Sequence, residues 1–252
     1  MTRPLDWRRL PLRRLGLAAL LLSLAALPAS AQEFTLDFGD PTGSTAARII
    51  QLVLMLTVLS IAPSILVMVT SFTRIVVVLS FLRQALGTQS APPNMVLISL
   101  ALFLTAFVMM PTFEQSWNQG IQPLVEGRID EMEAMELAAQ PFHDFMFRHV
   151  RDEDLRLFLD ISRAPEVAGP EDVPYQALIP AFMISELRRA FEIGFLIFLP
   201  FLIIDLVVAS VLMSMGMMML PPVMIALPFK LIFFVLVDGW YLISGSLVQS
   251  FG

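Results

Sequence analysis

IGFLIFLPFLIIDLVVASVLMSMGMMMLPPVMIALPF, residues 193–229, carries a single charged side chain, Asp205. As one helix it would measure about 55 Å, well beyond the ~30 Å hydrocarbon core of a bilayer. Pro221-Pro222 marks a turn, so the economical reading is a helical hairpin with arms near 189–215 and 223–245. Its tip holds Met213, Met215, Met217, Met218, Met219 and Met224.

Upstream, residues 49–72 are also free of charge, with Pro63 inside the run; Arg74, a further apolar run and Arg83 follow. A single helix over 49–82 would be about 50 Å long. It either projects beyond a bilayer or breaks at Pro63 and doubles back, a break that neighbouring protein can shelter and lipid cannot. Residues 84–94, with Gly87 and Pro92-Pro93, read as a loop, and Met95 to Phe113 as another span ending near Pro111. Overall, 57% of the residues are hydrophobic and 15% charged, against about half and a quarter in soluble domains. The expectation is an all-α integral membrane protein with about four apolar segments.

Residues 114–185 differ, with fourteen Asp or Glu against five Arg. Phe142, Phe145, Met146 and His149 share a helical face behind Pro141, read as a helix start. Asp152 can cap a second helix with Leu155, Phe158 and Leu159 on one side. Residues 165–174 form a turn-rich linker. At the other end, Arg3, Arg8, Arg9, Arg13 and Arg14 precede an apolar Leu/Ala run and Ala29-Ser30-Ala31. That order describes a secretory signal peptide cleaved after Ala31, with an uncleaved anchor as the alternative. The expected divisions are therefore 1–31 signal peptide, 32–113 lead-in and first apolar helices, 114–185 acidic helical periplasmic domain, and 186–252 hairpin. Starting outside, the first span would deliver Arg74 and Arg83 to the cytoplasmic side. Arg188 and Arg189 would then flank the outer end of the third, with Glu186 and Glu192 to neutralise them.

Several function classes fall away. With no cysteine there is no disulfide framework and no thiolate chemistry. Net charge is −6, and no basic stripe exists for nucleic acid. His143 and His149 are six apart, which does not set two imidazoles on one helical face for a metal. Phosphate-binding loops and nucleophile elbows are absent as well. No catalytic residue, metal ligand or cofactor is expected.

Asp205 and Lys230 stand in apolar surroundings, where an unpaired charge is expensive. They read as a mutually neutralising pair or as an ion or proton relay. The methionines read as flexible packing, or as a deformable ring contributed by several chains. Ser210 and Ser214, four apart, allow close helix approach. Glu186, with Arg188 and Arg189, reads as an interfacial anchor or as an intersubunit salt-bridge network.

Residues 182–240, FMISELRRAFEIGFLIFLPFLIIDLVVASVLMSMGMMMLPPVMIALPFKLIFFVLVDGW, resemble the FliP family of flagellar biosynthetic proteins and, more distantly, the SctR-type subunits of virulence type III secretion. Residues 71–105, SFTRIVVVLSFLRQALGTQSAPPNMVLISLALFLT, are similar to the same pattern. The resemblance implies a homo-oligomer joined by FliQ-like and FliR-like membrane subunits, a gate in the bacterial inner membrane at the flagellar basal body through which unfolded flagellar proteins leave. It implies that Met217, Met218 and Met219 form a gasket around the closed channel, and that Asp205 and Lys230 are the family's intramembrane charged pair. Phe145, Phe158 and Glu186 match positions associated with gate assembly. The competing class is a small-solute or ion transporter using Asp205 and Lys230. Such proteins usually show an internal repeat or paired broken helices, and neither is visible in the sequence.

Overall fold

A computed structural model describes residues 45–88, 90–162, 169–217 and 219–252; the expected signal peptide with its Ala31 cleavage site lies outside them, as does Met218. The helices are α1 (Thr45–Met68), α2 (Phe72–Leu86), α3 (Asn94–Ser116), α4 (Gln122–Val125), α5 (Glu131–His149), α6 (Asp152–Ser162), α7 (Tyr175–Ser214), α8 (Pro222–Leu236) and α9 (Gly239–Gln249). No strand occurs among the described residues. This is an all-α membrane protein. Two helical runs, Asn94–Val125 and Tyr175–Ser214, are long and apolar enough to cross a bilayer, and two bent pairs, α1–α2 and α8–α9, raise the number to four. Residues 55–252 form one compact unit; 45–54 are the first turns of α1 and belong to the stretch before it.

α2 is the axle of that unit. Ile75, Val78, Leu79 and Leu82 are completely buried, and Arg74, Ala85 and Leu86 nearly so. Their spacing covers more than one helical face, so α2 is enclosed on several sides. It lies along α7, which at 40 residues would be about 60 Å long. Gly194 makes the close approach possible, because a Cβ there would fall 2.5 Å from the Phe81 ring. The first half of α7 buries Leu178, Ala181, Phe182, Ser185, Glu186 and Ala190 at helical spacing, whereas beyond Gly194 only Phe201 and Leu212 are buried.

Several local expectations are corrected. The long apolar run does not break at Pro63, which α1 carries in its interior; it breaks at Val69–Ser71. There Thr73 Oγ1 donates to the Val67 carbonyl (3.3 Å), closing one of the groups that the break leaves free. The second span does not end near Pro111. α3 passes through it and continues by a π-helical turn, Trp117–Ile121, into α4. That turn sets Gly120 against α5 so tightly that a Cβ would lie 2.6 Å from the Ala134 carbonyl oxygen.

Pro141 is not a helix start. α5 begins ten residues earlier, where Asp130 accepts from the Glu133 amide (2.8 Å) and acidic residues fill the first turn. Asp152 is the first residue of α6 rather than its cap. α5 and α6 share a core with the start of α7 and with two residues from outside 114–185: Phe145, Met146, Val150 and Leu155 cluster with Phe182 and with Val69 and Met109. The second hairpin arm is also interrupted. α8 and α9 meet at 63°, with Asp238 in the left-handed region (φ 50°), a conformation that Asp tolerates better than most residues.

Candidate functional site

The hairpin tip is built from a helix stop and a helix start. α7 ends at Ser214, and Gly216 adopts φ 72°; its amide donates to Met213 O (3.1 Å) and the Met217 amide to Leu212 O (3.0 Å). This is the paired hydrogen-bond closure that a left-handed residue gives a helix end, and it needs glycine there. Pro222 then opens α8 at a position where its missing N–H costs nothing. Between the two, the methionines stand clear of the chain. Met219 is 99% exposed and Met217 42%, with Met213, Met215 and Met224 exposed too. Below the tip the arms remain parted by an apolar groove of about 460 Å³, lined by Ile203, Val207, Val211, Leu212, Ile225 and Phe229. Ser210 and Ser214 are exposed, and each hydroxyl donates back to its own helix, at Leu206 O and Val211 O.

Lower down, the structure brings Asp205 and Lys230 together across the hairpin, Lys230 Nζ donating to Asp205 Oδ2 at 2.7 Å. Lys230 is 4% exposed and has a second partner, the Ala85 carbonyl at 3.1 Å. Ala85 lies in the last turn of α2, whose carbonyls have no partner within the helix and give that end a partial negative charge. Lys230 therefore answers two negative groups at once. Sequence reasoning missed the second, although Gly87, the left-handed cap of α2, signalled a helix end there. Asp205 Oδ1 is buried with no hydrogen-bond partner among the described residues.

The second ion pair went unforeseen. Arg74 Nε donates to Glu186 Oε2 at 2.8 Å, Nη2 donates to Oε1, and the two side chains are 1% and 0% exposed. Nη1 donates to the carbonyl and hydroxyl oxygens of Ser250, both at 2.9 Å, and the guanidinium lies 3.6 Å over the Phe251 ring. The planar fork of arginine matches a carboxylate in this two-point fashion, so the pair is geometrically specific as well as neutral. Glu186 does not neutralise Arg188 or Arg189, because both its carboxylate oxygens accept from Arg74 inside its own chain. Arg188 bonds Glu192 on the surface, as the sequence suggested. And Arg74 cannot lie across a membrane from the end of the third span, since it touches Glu186 in that same region; α1 and α2 are not one straight crossing.

Phe145 is 3% exposed, stacked on Phe251 at 6.1 Å and edge-on to Phe182 at 5.9 Å. Phe158 is half-buried against the same cluster. Neither Phe145 nor Glu186 offers surface to a neighbour, so an influence of either on assembly passes through the fold. No group of three or more His, Asp or Glu that could hold a metal occurs among the described residues.

The helices that carry both ion pairs and the methionine tip fall within a recognisable family pattern. The FliP family profile matches residues 55–247. Among curated relatives, "Flagellar biosynthetic protein FliP" of Caulobacter vibrioides is 57% identical over 245 residues, 95% of this chain and 92% of that protein. The protein of the same name from Agrobacterium fabrum is 53% identical over 244 residues, covering 95% and 99% of the two chains. That of Bacillus subtilis is 55% identical over 219 residues, covering 87% and 99%. With the matched segment running from α1 to α9 and relatives aligned over nearly their full lengths, this chain belongs to the FliP family.

Proposed function

We propose that this chain is a core subunit of the flagellar type III protein export gate. It forms, with further copies of itself and with FliQ-like and FliR-like membrane subunits, the channel through which unfolded flagellar proteins are exported. It resides in the bacterial inner membrane at the flagellar basal body, has no catalytic chemistry, and places residues 114–185 on the periplasmic side. Family membership supports the coarse part of this reading, a membrane-embedded component of flagellar biosynthesis.

One observation carries the finer part: flexible, unbranched side chains stand unsupported at the end of a rigidly stopped helix. Methionine conforms to irregular surfaces without a fixed shape of its own. A ring of Met217, Met218 and Met219 from several copies would seal against ions and still yield to a polypeptide. Asp205 and Lys230 serve that structure by neutralising each other at the hairpin's base, each removing the cost of the other's charge.

The structure does contain broken helices, at 69–71 and at 237–238, so their absence is no argument against a transporter. The test is replacement of Met217, Met218 and Met219 by Ala in cells. The gate reading expects ion leakage across the membrane with flagellar protein export largely retained. Unchanged ion permeability, with a lost solute uptake in its place, would overturn it.

A further inference from the structure

The chain has two histidines, and His149 is bonded in a way that a neutral ring cannot satisfy. It is the last residue of α5. Its Nδ1 lies 2.7 Å from the Phe145 carbonyl oxygen one turn back, and its Nε2 lies 3.1 Å from the Phe251 carbonyl oxygen. A carbonyl oxygen only accepts, and a neutral imidazole carries one N–H. The neutral ring therefore turns a lone pair toward one of the two oxygens, in either tautomer. Only the imidazolium donates to both.

The position at a helix C-terminus suits that charge. The free carbonyls at the end of α5 make it partially negative. The part-buried ring lies tilted against Phe145 at 4.5 Å between centroids and against Phe251 at 5.4 Å. Charged and titratable groups on the elements packed there are Glu186 and Arg189 of α7, Arg74 of α2, Arg148 and Arg151 next to His149 in the chain, and Asp152 and Asp154 of α6. Glu186 neutralises Arg74 through two hydrogen bonds.

The Ser250–Phe251 turn is thus gripped from two sides. Arg74 holds the Ser250 carbonyl and hydroxyl and covers the Phe251 ring; His149 holds the Phe251 carbonyl. One of these cations is permanent. The other exists only while the ring holds its second proton.

We propose that His149 is a proton-binding clasp: its doubly protonated ring ties the Ser250–Phe251 turn to the end of α5, and loss of one proton breaks one of the two bonds and loosens the turn. The sign follows directly. The second hydrogen bond exists when the ring is charged and disappears as pH rises, so the grip weakens toward alkaline pH. Arg74 keeps the turn from leaving altogether. The clasp closes on residues beyond 247, where the family profile ends, and its moving part abuts the buried Arg74–Glu186 pair. Local proton concentration is in this way coupled to the rigidity of the helix junction that organises the subunit.

Two measurements on the full chain in detergent test this. With only two histidines, ¹⁵N-histidine labelling gives assignable ring signals; the expected result is an imidazolium at His149, protonated on both nitrogens, at the acidic end of a series from about pH 5 to 8. Because the chain has no cysteine, Gly252→Cys provides a unique spin-label site, and a side chain there meets no atom within 4 Å. Label mobility should rise on alkalinisation, with the immobilised population falling about five- to tenfold, the worth of one such hydrogen bond. In His149→Gln it should not depend on pH. A single neutral tautomer at the acidic end, or identical pH dependence in wild type and His149→Gln, overturns the proposal. The ring measurement uses wild-type side chains alone and stands even if the variant misfolds.

Discussion

Arg74–Glu186 and Asp205–Lys230 both hang a carboxylate on α7, about 28 Å apart along its axis, yet their surroundings share little. Around the first, every donor nitrogen of the guanidinium has an acceptor and both side chains are sealed in. Around the second, the lysine is sealed but the aspartate is 33% exposed and keeps one buried oxygen without a partner. The same helix passes from packing on α2, α5 and α6 to a length whose Phe195, Leu196, Leu202, Ile203, Leu206 and Val207 are all exposed. The first pair is finished by its own chain; the second stands where apolar surface stays exposed on its own chain. Under the proposed gate, that exposed end is the one left incomplete in a single subunit.

The strongest way to break that contrast is at the enclosed pair. Glu186→Ala leaves the Arg74 charge buried and unmatched, and Arg74→Ala does the same to Glu186. Either should cost about 3–5 kcal/mol, enough to lose folded protein. The double variant Arg74→Met with Glu186→Leu should recover most of that loss, because the penalty is the stranded charge rather than the missing attraction. Thermal unfolding and yield of the detergent-solubilised chain measure both effects. A Glu186→Ala chain that accumulates and unfolds at the wild-type temperature would mean that this pair does not hold the packed end together.

A smaller effect is expected at the hairpin. Lys230→Met and Asp205→Asn should each cost about 2–3 kcal/mol, since water reaches part of Asp205 and Lys230 keeps the Ala85 carbonyl. Exchanging the charges, Asp205→Lys with Lys230→Asp, sharpens the point. It should restore assembly only in part, because an aspartate at 230 would face the Ala85 carbonyl and the negative end of α2. Full restoration would show that the contact with the helix end contributes nothing. Single variants that assemble as wild type would remove the pairing altogether.

These two pairs also show what was legible in the sequence. Asp205 and Lys230 could be matched because each is isolated in an apolar run, leaving few partners to choose from. Arg74 is just as isolated, but Glu186 sits in a charged cluster with Arg188, Arg189 and Glu192, which hid its real partner 112 positions away. Apolar run lengths announced the helices, while prolines misled about their ends. Pro63, Pro111 and Pro141 all lie inside helices, where neighbouring helices and caps such as Asp130 outweigh one missing amide bond. The break at 69–71 carries neither Gly nor Pro. It follows from where α2 must lie to bury Arg74, a demand that local pattern does not encode.

The mildest change probes the incomplete end at its extremity. Met219→Ala removes a side chain that is 99% exposed, so the isolated chain should keep its stability within about 0.5 kcal/mol, as exposed substitutions generally do. Gly216→Ala, three residues earlier, forces an L side chain into the left-handed region that closes α7 and should cost about 1 kcal/mol. Measured together in the same detergent, the two separate the tip's architecture from its cargo of methionines. Gly216 is expected to shape the tip and Met219 to be carried by it. If Met219→Ala destabilised the lone chain as much as Gly216→Ala, the methionine would already be packed within one subunit and would have no free surface with which to line a shared opening.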